Sequence, residues 1–139
     1  MGAFGKIVLA VDGSDASRRA VSTTRDLARA SGGQVLVLHY LEQEELTRGI
    51  ALDEAPAAAR GIVESALAEL RDAGVSAEGE VHTTLHGHVP QALLTRAASF
   101  SADVVVVGSR GLSDFSGLLV GSVAHKVIHL SSIPVLVVR

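Results

Sequence analysis

The chain has 139 residues, with 12 Lys and Arg against 15 Asp and Glu and a formal net charge of −3, a size that suits one domain with a real core and a charge that gives no electrostatic case for binding nucleic acid. It contains no cysteine, which excludes disulfides, thiol catalysis and cysteine-ligated zinc. Hydrophobic residues make up 47% but aromatic ones only 3%, so the core is aliphatic, as suits a parallel sheet covered by helices.

The pattern in chain order is βαβαβαβαβ, one domain over residues 1–139. The opening Met1-Gly2-Ala3-Phe4-Gly5-Lys6 runs straight into a strand with no signal-peptide pattern, and no apolar run reaches membrane length. The expectation is a cytoplasmic protein with no membrane partner. Strand one is Lys6 to Val11. Asp12-Gly13-Ser14-Asp15 follows, and Ser14 or Asp15 caps a helix that ends near Ala30, before Gly32-Gly33. Strand two is Gln34 to about Tyr40. The segment Glu42 to Pro56 carries Glu42, Glu44, Glu45, Asp53 and Glu54 against Arg48 and reads as an exposed connection, the alternative being a lid. Helix two places Ala59, Ile62, Val63, Ala66, Leu67 and Leu70 on one face and stops near Gly74. Strand three lies within Ser76 to Leu85; its more polar alternation marks a sheet edge. Pro90 fits the first turn of a helix running to about Phe100. Strand four is Val104 to Val107, helix four starts near Ser122, and Pro134 to Arg139 is strand five. Alternating strands and helices imply right-handed crossovers and a doubly wound α/β sheet with helices on both faces.

The segment after strand four carries the most chemical information. Gly108-Ser109-Arg110-Gly111 is followed, nine residues later, by Gly121-Ser122, and then by the helical Val123-Ala124. A buried strand, a glycine loop and a helix start together form an anion site. Glycine permits positive φ and close backbone approach, and the helix start offers N–H groups and the positive end of its dipole. A phosphate is the expected guest. Two better-known loops do not fit. A Walker loop needs Gly-Lys-Ser/Thr, yet the only lysines are Lys6 and Lys126. The dinucleotide fingerprint needs a tighter glycine cluster than Gly108, Gly111 and Gly117 provide.

The Gly108-x2-Gly111-x9-Gly121-Ser122 pattern resembles the nucleotide loop of the ATP-binding branch of the universal stress protein family. Val11-Asp12-Gly13-Ser14-Asp15-Ala16-Ser17 is similar to that family's first signature. The resemblance covers essentially the whole chain and implies strand order 3-2-1-4-5, the adenine nucleotide alpha hydrolase-like arrangement. Winding then reverses between strands one and four, where open α/β sheets bind ligands, so the Asp12 loop and the Gly108 loop share one crevice. What the resemblance implies there is ATP with Mg2+. Ala10, Val11 and Val107 would form apolar walls, and the backbone at Tyr40 would read the purine edge. Gly108, Ser109, Arg110, Gly111, Gly121, Ser122, Val123 and Ala124 would surround the phosphates, and Asp12 would meet the ribose or a Mg2+ ion. One position departs from the family: Ala124 stands where binding members carry Thr or Ser. Many members dimerise through the last strand, which implies a homodimer through Pro134 to Arg139.

The residues give little support for an enzyme. There is no Ser-His-Asp spacing and no G-x-S-x-G elbow, and phosphoryl transfer demands charge neutralisation that Arg110 alone would have to supply. The leading expectation is a regulatory, stress-response ATP-binding protein with slow or no hydrolysis. The alternatives are an ATPase or nucleotidyl transferase on the same fold, and a dimeric interaction module without nucleotide. Of the six histidines, His82, His86 and His88 sit close together, but Gly87 and Pro90 interrupt the strand there. His125 and His129 are one helical turn apart. Surface histidines, rather than a metal site, are expected in both places.

Overall fold

The computed structural model describes residues 3–43, 49–111 and 120–139. Five parallel strands form one sheet in the order β3-β2-β1-β4-β5. The strands are β1 (Lys6–Ala10), β2 (Gln34–Gln43), β3 (Ala77–Leu85), β4 (Val104–Gly108) and β5 (Val135–Val138), and the helices are α1 (Asp15–Ser31), α2 (Ala57–Asp72), α3 (Val89–Phe100) and α4 (Ser122–Leu130).

Side-chain alternation divides the core into two layers. Ile7 and Leu9 of β1 join Val35, Val37, Val63 and Leu70 in an apolar cluster beneath α1 and α2. Val8, between them in sequence, faces the other way and packs with Leu36, Leu38, Leu93, Val105 and Val127 beneath α3 and α4. The central strands are therefore apolar on both faces, which is why Val104-Val105-Val106-Val107 is an unbroken valine run with every member buried.

The element boundaries follow local chemistry. Gly13 turns the chain out of β1 at φ 83°, a conformation that costs glycine nothing. Ser14 then caps α1, its Oγ accepting from Ser17 N at 3.1 Å. Pro90 occupies the first turn of α3, where its missing N–H leaves no bond unmade.

Three expectations about extent need correction. β2 continues to Gln43, three residues past Tyr40, because β3 pairs with it as far as Leu85. β5 is shorter than Pro134 to Arg139 at both ends. The exposed connection is only partly so. Residues 44–48 lie outside the described residues, but Ile50 N donates to Val81 O at 3.0 Å in an antiparallel bridge, and Ala55 is buried. Residues 49–56 thus run along the edge of β3. They do not line the crevice, and the lid alternative does not hold for them. Among the described residues, no helix is long and apolar enough to cross a membrane.

Candidate functional site

At the carboxyl ends of β1 and β4 lies a cleft of about 250 Å³. It sits where the winding direction reverses, the usual ligand position in open α/β sheets. Every expected site residue except Gly121 lines it. Ala10, Val11 and Asp12 come from the end of β1, and Tyr40 from β2. Val107, Gly108, Ser109, Arg110 and Gly111 come from the end of β4, and Ser122, Val123 and Ala124 from the start of α4. Gly121 is the N-cap of α4, directly behind that wall. The interior of the glycine loop, including Gly117, lies outside the described residues.

A side-chain bond joins the two loops, and backbone bonds tie the second of them to α4 and β5. Ser14 Oγ lies 3.3 Å from Arg110 O as donor, Gly121 N donates to Ser109 O, and Ser109 N donates to Val138 O at 2.6 Å. Two helix N-termini, those of α1 and α4, therefore face one cleft. No side chain caps α4 at Gly121, and a helix start carries the positive end of the helix dipole. That wall attracts negative charge.

The structure revises the expected roles of several residues. Gly121 has φ −72°, and Gly108 is not left-handed either, so neither is glycine for the sake of positive φ. Gly108 is glycine because α1 lies against it: a Cβ there would stand 2.9 Å from the Ala16 carbonyl carbon and 3.0 Å from Ser17 N. Asp12 is a turn residue as well as a wall of the cleft, since its Oδ1 accepts from Ser14 N at 2.9 Å. Ala124 also faces inward and is buried in the apolar cluster beneath α4. The Tyr40 side chain is held in place by its neighbours. Its hydroxyl donates to Ala92 O of α3 at 3.2 Å, and its ring stacks on His82 with centroids 5.6 Å apart. Burial, with Glu80 nearby, pushes its hydroxyl up to about 12, so it remains protonated throughout the physiological range.

Other lining residues were not expected. Ser14, Ser17, Leu38, His39, Glu42 and Val89 complete the wall. His39 Nδ1 lies 2.7 Å from Val11 O, tying the end of β2 to the end of β1. Glu42 accepts from Gly87 N at 3.1 Å and pairs with His86 Nδ1 at 2.7 Å, which anchors the β3–α3 turn beside the cleft.

Behind Tyr40, Arg96 grips Glu80 in a two-pronged pair, Nε to Oε1 and Nη2 to Oε2, each 2.8 Å, and His82 Nε2 lies 2.8 Å from Oε1. The Arg96 guanidinium, with His82, holds the Glu80 carboxyl down at about 2 against the desolvation that would raise it, and Glu80 in turn raises Arg96. A carboxylate with a lowered folded-state value stabilises the fold fully above its ordinary value near 4.5 and loses that contribution as pH falls toward 2. Both side chains are about 30% exposed, so solvent limits the effect. Glu80→Gln is expected to cost about 1 kcal/mol at neutral pH. The difference from wild type should shrink below pH 4.5 in urea unfolding; a constant difference down to acid pH would contradict it.

The arrangement and sequence both match known proteins. The model of the universal stress protein family matches residues 3–139. A universal stress protein of Thermus aquaticus is 35% identical, with 98% of this chain and 99% of that protein covered. The universal stress protein YxiE of Bacillus subtilis is 31% identical over 98% and 99% respectively. A solved universal stress protein in complex with cAMP superposes with a TM-score of 0.75 at 28% identity, covering 98% of this chain and 97% of that one.

Proposed function

The chain belongs to the universal stress protein family, and from that premise we propose that it binds an adenine nucleotide, ATP with Mg2+, in the cleft between β1 and β4. The observation that carries this reading is the joining of two loops and two helix starts around one cleft, through the Ser14–Arg110 and Gly121–Ser109 contacts. The related protein in complex with cAMP supports an adenine nucleotide and makes cAMP the second candidate.

The polar lining suits this guest. The first turn of α4 offers backbone donors to phosphate, and Ser14, Ser17, Ser109 and Ser122 add hydroxyls. Among the described lining residues, Arg110 is the only Lys or Arg, and Asp12 and Glu42 are carboxylates. A triphosphate there needs a counter-ion. Asp12 and the serine hydroxyls are oxygen donors of the kind Mg2+ prefers. The ion would neutralise phosphate charge beside Asp12. The purine would lie toward β2, where the backbone at Tyr40 and the side chains of Leu38 and Val89 meet the cleft.

A nucleotide site is not by itself a catalytic one. The described lining includes no lysine to stabilise a transferring phosphoryl group. We therefore read the protein as a cytoplasmic regulator in the stress response, with slow or no hydrolysis, acting as a homodimer through β5.

Calorimetry on the purified chain tests the site. ATP with Mg2+ is expected to bind more tightly than cAMP, and Gly121→Val to weaken binding at least tenfold (about 1.4 kcal/mol) by placing a branched side chain against the phosphates. Its extended backbone, φ −72° and ψ 170°, accepts valine without strain, but the position is buried, so urea unfolding of the variant is measured alongside its affinity. Equal affinity in both proteins would remove the phosphates from the α4 start. Tighter cAMP binding would favour the cyclic nucleotide.

A further inference from the structure

Three of the six histidines are committed to structural partners. His39 is bound to Val11 O, His82 to Glu80 and His86 to Glu42. His125 and His129 differ. They stand one turn apart on α4, both exposed, with ring centroids 4.5 Å apart and planes at 68°. Among the described residues, neither ring has a hydrogen-bond partner; each one's neighbour is the other imidazole.

We propose that His125 and His129 form a two-imidazole site for a divalent transition-metal ion, Cu2+ above all, on the outer surface of α4. Side chains at i and i+4 share one helix face, and a histidine pair with this spacing is what helical zinc motifs use to present two ligands to one ion. The backbone already brings the rings into contact, so only side-chain torsions separate the apposed pair from a chelating one. Imidazole suits Cu2+, Ni2+ and Zn2+, and the order of divalent affinities puts Cu2+ first. Mg2+ and Ca2+ prefer oxygen ligands and are excluded.

The rest of the helix fits a pair that is free to turn. Ala124 and Val127 are the buried anchors of α4, so they fix its inner face and leave the histidines outside. His129 lies in the last turn, where the helix dipole favours positive charge. No group of three or more His, Cys, Asp or Glu able to hold a metal occurs among the described residues. Two protein ligands leave the remaining coordination positions to water, which makes an exchangeable site rather than a structural one. The proposal is independent of what the cleft binds.

The test titrates the full chain with Cu2+ alone in a non-chelating buffer, followed by calorimetry and electron paramagnetic resonance. Zn2+ and Mg2+ serve as comparisons. One equivalent of Cu2+ is expected, with hyperfine structure from two imidazole nitrogens, weaker Zn2+ binding and no Mg2+ binding. Either His125→Ala or His129→Ala should lower Cu2+ affinity roughly 100-fold, the low end of what tethering two ligand groups gives. Both residues are exposed, so circular dichroism should show folded variants. If the doubly substituted chain takes up Cu2+ with wild-type affinity, the ion sits elsewhere and the proposal is overturned. A spectrum with fewer than two imidazole nitrogens in the wild type overturns it equally.

Discussion

Gly108→Val is expected to destabilise the fold by about 1–3 kcal/mol and to abolish nucleotide binding in whatever fraction still folds. The cause is packing rather than backbone freedom. Gly108 ends β4 where α1 crosses it, and a Cβ there would stand 2.9 Å from the Ala16 carbonyl carbon and 3.0 Å from Ala16 Cβ. Those are atoms of the helix itself and its shortest side chain, so no flexible tip can swing aside. The sheet and α1 must separate. That movement would carry Ser14 and Ser17 away from Arg110, because Ser14 Oγ reaches across to Arg110 O. Gly121→Val is the informative contrast. It approaches the same site from a buried position whose backbone any residue can adopt, so its urea midpoint should fall less than that of Gly108→Val. Denaturation and calorimetry on the two variants separate glycine needed for helix–strand packing from glycine needed for phosphate approach. A wild-type midpoint for Gly108→Val would mean that α1 yields without cost, and the packing argument would fail.

Much of this architecture is legible in the sequence because local and global signals agree. The valine run of β4 reads as a strand buried on both faces, and Ser14-Asp15 after Gly13 reads as a helix start, which the structure assigns to Ser14 as the cap. Strand order came from the family resemblance, and the structure has the same order. Long-range pairing accounts for what was missed. Glu42 reaches the cleft because β2 extends opposite Thr84 and Leu85, and nothing near Glu42 in sequence announces that partner. His39 binds Val11 O across 28 positions. The Tyr40 side chain is fixed because α3 offers it Ala92 O and β3 offers it His82. The acidic composition of Glu42 to Pro56 suggests solvent, but Ile50 and Ala55 within it belong to the edge and the core. Composition averages over a segment, whereas packing selects individual residues.

Val137→Pro is expected to convert the protein from a dimer to a monomer while leaving nucleotide affinity nearly unchanged. β5 is the last strand of the sheet. Val105 N donates to Pro134 O, and Ser109 N to Val138 O. In a parallel ladder with that register, the N–H and C=O groups of Leu136 face β4, and those of Val135 and Val137 face outward. Val137 therefore presents an unpaired donor along a short apolar edge that ends near exposed Leu136. Such an edge invites another strand. Antiparallel pairing with β5 of a second copy about a two-fold axis would satisfy both edges and close the assembly. The apolar side chains that α4 leaves exposed, Ile128 and Leu130, lie in the chain segment just before this strand and add to the area a partner could cover. Proline at position 137 removes the outward donor and sets a ring against the incoming strand, yet it sacrifices no bond to β4. The substitution thus tests the edge without unpicking the sheet. Light scattering should give twice the 14.3 kDa of one chain for wild type and a single chain mass for the variant. Leu136→Pro is the control: its N–H faces β4, so it should cost stability as well as assembly. A wild-type protein that remains monomeric at high micromolar concentration would show that the edge is protected by some other means, and the site between β1 and β4 would stand unaffected.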